Sequence, residues 1–255
     1  MFELEIDVPT PDGAMNSFFV RPDQGGPHPA VVMLMDAPGV RETLRTMARR
    51  LATNGYAVLL PNLFYRIARV VQTGPTRNHP DADRNRAEML ARRNTLSNAL
   101  VTRDVAAALD ALARRDDVRP ARVGLVGYCM SGAFAVVAAA ALPERVACAA
   151  SFYGTKLVTD TPDSPHLVAS HVKGELYFAF AEIDPFVPVE TAERLLAQLA
   201  TTSVRHRIEI YPGADHGFAF DDRGTYHPVA AERHWEALLD LFRRNVPTCP
   251  AVART

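Results

Sequence analysis

Residues 122–142 leave few folds open. Arg122-Val123-Gly124-Leu125-Val126 is a short apolar run suited to a buried strand, and Ala133 to Leu142 is apolar, Ala-rich and long enough for a buried helix. Only Gly127-Tyr128-Cys129-Met130-Ser131-Gly132 separates them. A chain that passes from strand to helix so abruptly strains the residue at the apex and leaves almost no room for side chains beside it. A glycine two residues before the apex and a small residue two after it meet that demand, which puts Cys129 at the apex and Ser131 in the small position. A thiol there is favoured as thiolate, because the unpaired N–H groups of a helix N-terminus stabilise negative charge. The same hexapeptide also suits a structural cysteine on a βα turn, since free cysteine is among the most buried residue types.

Two further residues fall where a nucleophile would need them. Leu176 to Ala181 reads as a buried strand, and Val189 to Ala200 as a helix, so Asp184 lies in the loop at the strand's C-terminal end. Ligands bind at that end of open α/β sheets. Val204 to Tyr211 alternates as a strand should and leads into Pro212-Gly213-Ala214-Asp215-His216-Gly217-Phe218, which puts His216 on a second such loop. Taken singly, Asp184 could serve as a turn or cap residue and His216 as an exposed loop histidine. Together with Cys129 they run in the order nucleophile, acid, base, which is the chain order of α/β-hydrolases.

On these residues the chain resembles the dienelactone hydrolase family. The matching segments are Met35 to Val40, Asn54 to Leu63, Gly127-Tyr128-Cys129, Ser151-Phe152-Tyr153-Gly154, Asp184 to Pro188 and His216-Gly217-Phe218. The resemblance implies an α/β-hydrolase fold with Cys129 as nucleophile, His216 as base and Asp184 as its orienting acid. It further implies an oxyanion hole built from the backbone N–H groups of Met130 and Ala37, with Tyr153 as an accessory residue of the site. No cofactor and no metal ion are implied.

Three positions depart from the family pattern. Ser131 stands where the family has glycine. Asp36 stands for the glutamate that contacts the resting nucleophile, one methylene shorter. Phe220 stands four residues after the histidine, where enzymes acting on dienelactone carry an arginine for the substrate carboxylate. A second carboxylate-binding arginine is expected near Arg84 and Arg86, with Arg86 the candidate. Phe220 in place of a cation argues for a less acidic substrate.

Composition sets the remaining bounds. A net charge of −1 gives no electrostatic reason to expect nucleic acid or an anionic membrane as partner. Cys129, Cys148 and Cys249 are an odd number with no paired spacing, which argues against a disulfide framework and for a reducing cytoplasm. No apolar run reaches the length of a membrane span. The partner expected is a small ester or lactone, and the protein a monomer or small homo-oligomer.

Strand and helix signals alternate for most of the length, the pattern of a mostly parallel sheet with helices on both faces. Glu3 to Val8 and Asn16 to Arg21 read instead as an N-terminal antiparallel hairpin. Ala30 to Met35 is a central strand, Glu42 to Asn54 a helix closed by Gly55, and Tyr56 to Leu60 the next strand. Residues 64–83 are irregular and read as part of the pocket rim. A helical pattern fills Arg84 to Arg115, and a last helix runs from Val229 to Asn245. One domain over residues 1–246 and a flexible tail over 247–255 are expected.

The chemistry implied is attack of the Cys129 thiolate on an ester or enol-lactone carbonyl, with a thioester intermediate hydrolysed by water that His216 activates. A general carboxylesterase or thioesterase for small neutral esters is the nearest alternative. A nucleotide-binding oxidoreductase is a poorer fit, because Gly124, Gly127 and Gly132 do not form G-x-G-x-x-G. A non-catalytic relative used for binding has no need of Cys129, Asp184 and His216 together.

Overall fold

The computed structural model describes residues 1–248 except Gln72, Pro75, Arg77 and Pro120. Among these residues eight strands form one sheet: β1 (Phe2–Thr10), β2 (Gly13–Arg21), β3 (Ala30–Leu34), β4 (Ala57–Pro61), β5 (Val123–Tyr128), β6 (Val146–Phe152), β7 (Glu175–Ile183) and β8 (Arg205–Asp215). Their spatial order is β1-β2-β4-β3-β5-β6-β7-β8. β1 and β2 form the antiparallel hairpin, β2 joins β4 antiparallel, and every pairing from β4 through β8 is parallel. Every residue of β3, β4, β5 and β6 is buried, as expected where helices cover both faces of a parallel sheet.

Among the described residues seven α-helices pack around the sheet: α1 (Glu42–Thr53), α2 (Ala82–Arg93), α3 (Asn98–Ala113), α4 (Met130–Ala141), α5 (Pro165–Val168), α6 (Val189–Leu199) and α7 (Pro228–Asn245). Two glycines of β5 show how the faces are divided. Gly124 lies against the Phe242 ring of α7, and a Cβ there would come within 2.7 Å of it. Gly127, three residues on and so on the opposite face, abuts the backbone of α4 at Ser131. On the α7 side, Arg50 of α1 lies 4.5 Å over the Trp235 ring and pairs with Glu232. On the other side α3 packs against α4.

The helical stretch expected over Arg84 to Arg115 is two helices. Ser97 ends the first by starting the second: its hydroxyl accepts from the Leu100 N–H at 3.2 Å, an N-cap in mid-pattern. The apolar face of Val101, Val105, Ala108, Leu109 and Leu112 lies wholly on α3, whereas α2 buries only Asn85 among the described residues. β8 runs four residues past its expected end, to Asp215, which carries His216 to the strand's C-terminal edge. Of the tail, Pro247 and Thr248 are described; Cys249 and the residues after it lie outside the described residues. No helix among the described residues is long and apolar enough to cross a membrane.

Candidate active site

Cys129 joins β5 to α4 with φ 54° and ψ −116°, a conformation that side chains other than glycine's rarely adopt. The surroundings hold it there. Its N–H donates to Phe152 O at 3.1 Å, and its carbonyl accepts from Thr155 N at 3.0 Å and Gly132 N at 3.2 Å. Gly132 has no space for a side chain, since a Cβ would lie 2.6 Å from the Gly154 Cα. Ser131 fills the position where the family has glycine, and its buried hydroxyl donates to the Met35 carbonyl at the end of β3.

Asp184 follows β7. One carboxylate oxygen accepts from the N–H groups of Phe186 at 2.8 Å and Val187 at 3.2 Å. The other lies 2.7 Å from His216 Nδ1. A carboxylate only accepts, so Nδ1 is the protonated nitrogen of that pair. The imidazole lies between the rings of Tyr153 (centroids 5.1 Å apart) and Phe186 (4.9 Å). Its second nitrogen, Nε2, is buried without a hydrogen bond of acceptable geometry, yet Cys129 is close enough to act on the ring's charge. Burial alone would lower the His216 pKa; the Asp184 carboxylate and Cys129 outweigh it and raise the pKa to about 10.

The oxyanion donors named from sequence belong to the start of α4 and to the turn after β3. Met130 opens α4, where the first N–H groups have no partner within the helix. Ala37 is buried in the turn that Gly39 closes by donating to Asp36 O at 3.0 Å. Residues of the 64–83 segment cover that turn: Val71 packs on Gly39, and Thr73 donates to Pro38 O at 3.1 Å.

Asp36 is placed differently from the expectation. Its carboxylate is buried and held by two guanidinium groups, Arg41 Nη1 at 2.5 Å and Arg223 Nη2 at 2.7 Å. Arg41 also reaches Asp222 at 2.5 Å. Both acidic oxygens of Asp36 are thus engaged by arginines and not by the thiol. Tyr153, with φ 39°, is fully buried and its hydroxyl has no hydrogen-bond partner among the described residues. Burial pushes its pKa well up, with Tyr128, Asp36 and Cys129 adding, so the phenol remains a donor.

Phe220 is not a pocket residue. It is 1% exposed, 5.2 Å from the Tyr128 ring, with the Arg41 guanidinium 4.8 Å above it. Arg86 is exposed and donates to Thr76 O at 3.1 Å, while Arg84 pairs with Asp81. The cation that α2 does bring within electrostatic reach of the nucleophile is Arg93, about two turns further along the same helix. It is half-buried, has no carboxylate within ion-pair distance among the described residues, and lies within electrostatic reach of Cys129 and Lys156. Burial lowers its pKa and Cys129 opposes that shift. No local motif marks Arg93, the last residue of α2.

A second missed feature lies beneath the elbow. The Tyr128 hydroxyl and His234 Nε2 are 2.9 Å apart, and full burial pushes the His234 pKa down to about 3. A neutral His234 accepts from the phenol and fixes the residue that precedes Cys129. Among the described residues no group of His, Cys, Asp and Glu side chains is placed to hold a metal ion. A recess of about 220 Å³ opens at the N-terminal ends of the parallel strands, lined by Pro29, Arg119, Arg122 and Asn245 among others, and offers no nucleophile beside a base.

Comparison with known proteins places the family and the fold. The sequence signature of the dienelactone hydrolase family matches residues 15–246. A candidate carboxymethylenebutenolidase of Synechocystis sp. is 29% identical over 244 residues, covering 94% of this chain and 96% of its own. The crystal structure of a candidate dienelactone hydrolase from Klebsiella pneumoniae superposes with a TM-score of 0.82 at 26% identity, covering 95% of this chain and 98% of that one. A dienelactone hydrolase-like promiscuous phosphotriesterase, P91, from metagenomic libraries shares the fold, with a TM-score of 0.79 at 22% identity over 96% of this chain and 98% of its own.

Proposed function

The chain belongs to the dienelactone hydrolase family and is a hydrolase of esters or lactones, and from that premise we propose that it cleaves a small enol-lactone or ester through a Cys129–His216–Asp184 triad and a thioester acyl-enzyme. The observation that carries this reading is the His216 ring, bonded to Asp184 at 2.7 Å on one side and acted on by Cys129 on the other. The thiolate forms a C–S bond to the carbonyl carbon, and the Met130 and Ala37 N–H groups receive the oxyanion. As the C–O bond breaks, His216 gives its Nε2 proton to the leaving oxygen. It then takes a proton from water, whose oxygen attacks the thioester and expels the thiolate. An enol-lactone suits this route because its leaving group is a stabilised enolate.

Mass spectrometry of enzyme quenched during turnover of a slow p-nitrophenyl ester tests the intermediate. The acyl increment is expected on the peptide that contains Cys129, and hydroxylamine should remove it. An increment on any other side chain, or rapid turnover with no increment under burst conditions, would overturn the covalent route.

Arg93 favours a substrate that carries a carboxylate, against the expectation drawn from Phe220. A cation within electrostatic reach of the nucleophile, bonded to Asn94 Oδ1 at 3.2 Å but with no carboxylate partner among the described residues, can make a charge-assisted hydrogen bond, worth about 1.5–3 kcal/mol, or roughly one to two orders of magnitude in discrimination. Arg93→Met is expected to lower kcat/KM for dienelactone about tenfold or more while leaving that for its methyl ester nearly unchanged. Equal losses on both substrates would return the choice to the neutral-ester esterase.

A further inference from the structure

The Ser131 hydroxyl is fully enclosed and donates to the Met35 carbonyl, a contact that joins the first turn of α4 to the end of β3. The residues on either side of that contact are the two proposed oxyanion donors: Met130 precedes Ser131 directly, and Ala37 follows Met35 by two residues. The peptide that carries Ala37 is also pulled from its other side. Asp36, between Met35 and Ala37, is held by Arg41 and Arg223, which approach it from α1's N-terminal side and from the loop after β8. Nothing else among the described side-chain hydrogen bonds of this turn ties it to α4.

We infer that Ser131 is a positioning residue for the oxyanion hole: its hydroxyl fixes the Met35–Ala37 segment against α4 and so sets the span between the Met130 and Ala37 N–H groups. The inference rests on the triad reading, since it needs acyl transfer at Cys129. Ser131 is not itself a nucleophile in this arrangement, because its hydroxyl hydrogen is committed to Met35 and the base, His216, is directed to Cys129. Oxyanion stabilisation requires donors about 2.7–3.1 Å from the developing charge, so a displacement of a few tenths of an ångström costs rate without costing binding. Without the hydroxyl, the arginine contacts to Asp36 act on the loop unopposed.

The test compares two reactions of one thiol. Ester hydrolysis needs the oxyanion hole, whereas alkylation of Cys129 by iodoacetamide, a displacement at saturated carbon, does not. In Ser131→Ala and Ser131→Gly, kcat for a p-nitrophenyl ester is expected to fall about tenfold, with KM and the alkylation rate constant within twofold of the parent. Glycine needs even less space than alanine and is the residue the family carries here, so the second variant is read if the first fails to fold. A kcat within twofold of the parent in the folded variants would overturn the proposal. A parallel fall in alkylation would also overturn it, because the hydroxyl would then be positioning the thiol. Cys129→Ala is run beside them: hydrolysis that survives in it sinks the triad reading itself, whatever Ser131 does.

Discussion

Replacing Cys129 by alanine is expected to reduce kcat by about 10⁴-fold or more, because removal of a nucleophile in a triad disables every covalent step that follows. Cys148→Ala is expected to leave hydrolysis near the parent level. The two thiols sit one strand apart, yet their settings differ. Cys129 stands at the C-terminal edge of β5, partly accessible, beside the imidazole. Cys148 is enclosed within β6, where burial, with Glu175 adding, pushes its pKa far above that of an ordinary thiol. Steady-state hydrolysis of a chromogenic ester by the two purified variants decides the matter. Retained activity in Cys129→Ala would end the covalent mechanism.

Asp184→Asn is expected to lower kcat by about 10²–10⁴-fold with the fold intact. The amide can still accept from Phe186 and Val187, so the turn survives, but it cannot hold the imidazolium charge. The hydrogen bond that His216 donates to Asp184 is the largest of the effects that raise the His216 pKa to about 10 against its burial, so the variant's imidazole should titrate at distinctly lower pH by NMR. The sign for stability follows from the same shift. A folded pKa raised above the unfolded value of about 6.5 contributes stability fully below that pH. The contribution is lost progressively as pH rises through about 10. The parent should therefore lose melting temperature between pH 7 and 10 by more than Asp184→Asn does. An imidazole that titrates at the same pH in both proteins would mean that Asp184 is not the group that holds the charge.

The parts of this fold that could be read from sequence are those in which neighbouring residues dictate each other. Fully apolar strands, the Gly127–Gly132 turn and the loops after β7 and β8 are local patterns, and they led to Cys129, Asp184 and His216 meeting at one edge of the sheet. The parts that could not be read depend on distant partners or on one cap. Ser97 divides a helical pattern that periodicity alone continues. Phe220 takes the expected place of a clamp in the sequence, but the rings of Tyr128 and Tyr153 draw it into the core. Asp36 meets Arg223, 187 positions away, and Ser131 meets Met35, 96 positions away. No spacing rule carries such pairs.

The enclosure of Cys148 has a chemical cost for its neighbour. A thiolate that an oxidant reaches becomes a sulfenic acid, and cells recover such a residue most readily when a second cysteine resolves it as a disulfide. Among the described residues the other thiol is Cys148, sealed inside β6 with no exposed surface. Oxidised Cys129 therefore has no resolving partner in that part of the chain. Without an outside thiol to intercept it, a second equivalent of oxidant carries the sulfenate to sulfinic acid, and the residue that the triad reading makes the nucleophile is spent irreversibly.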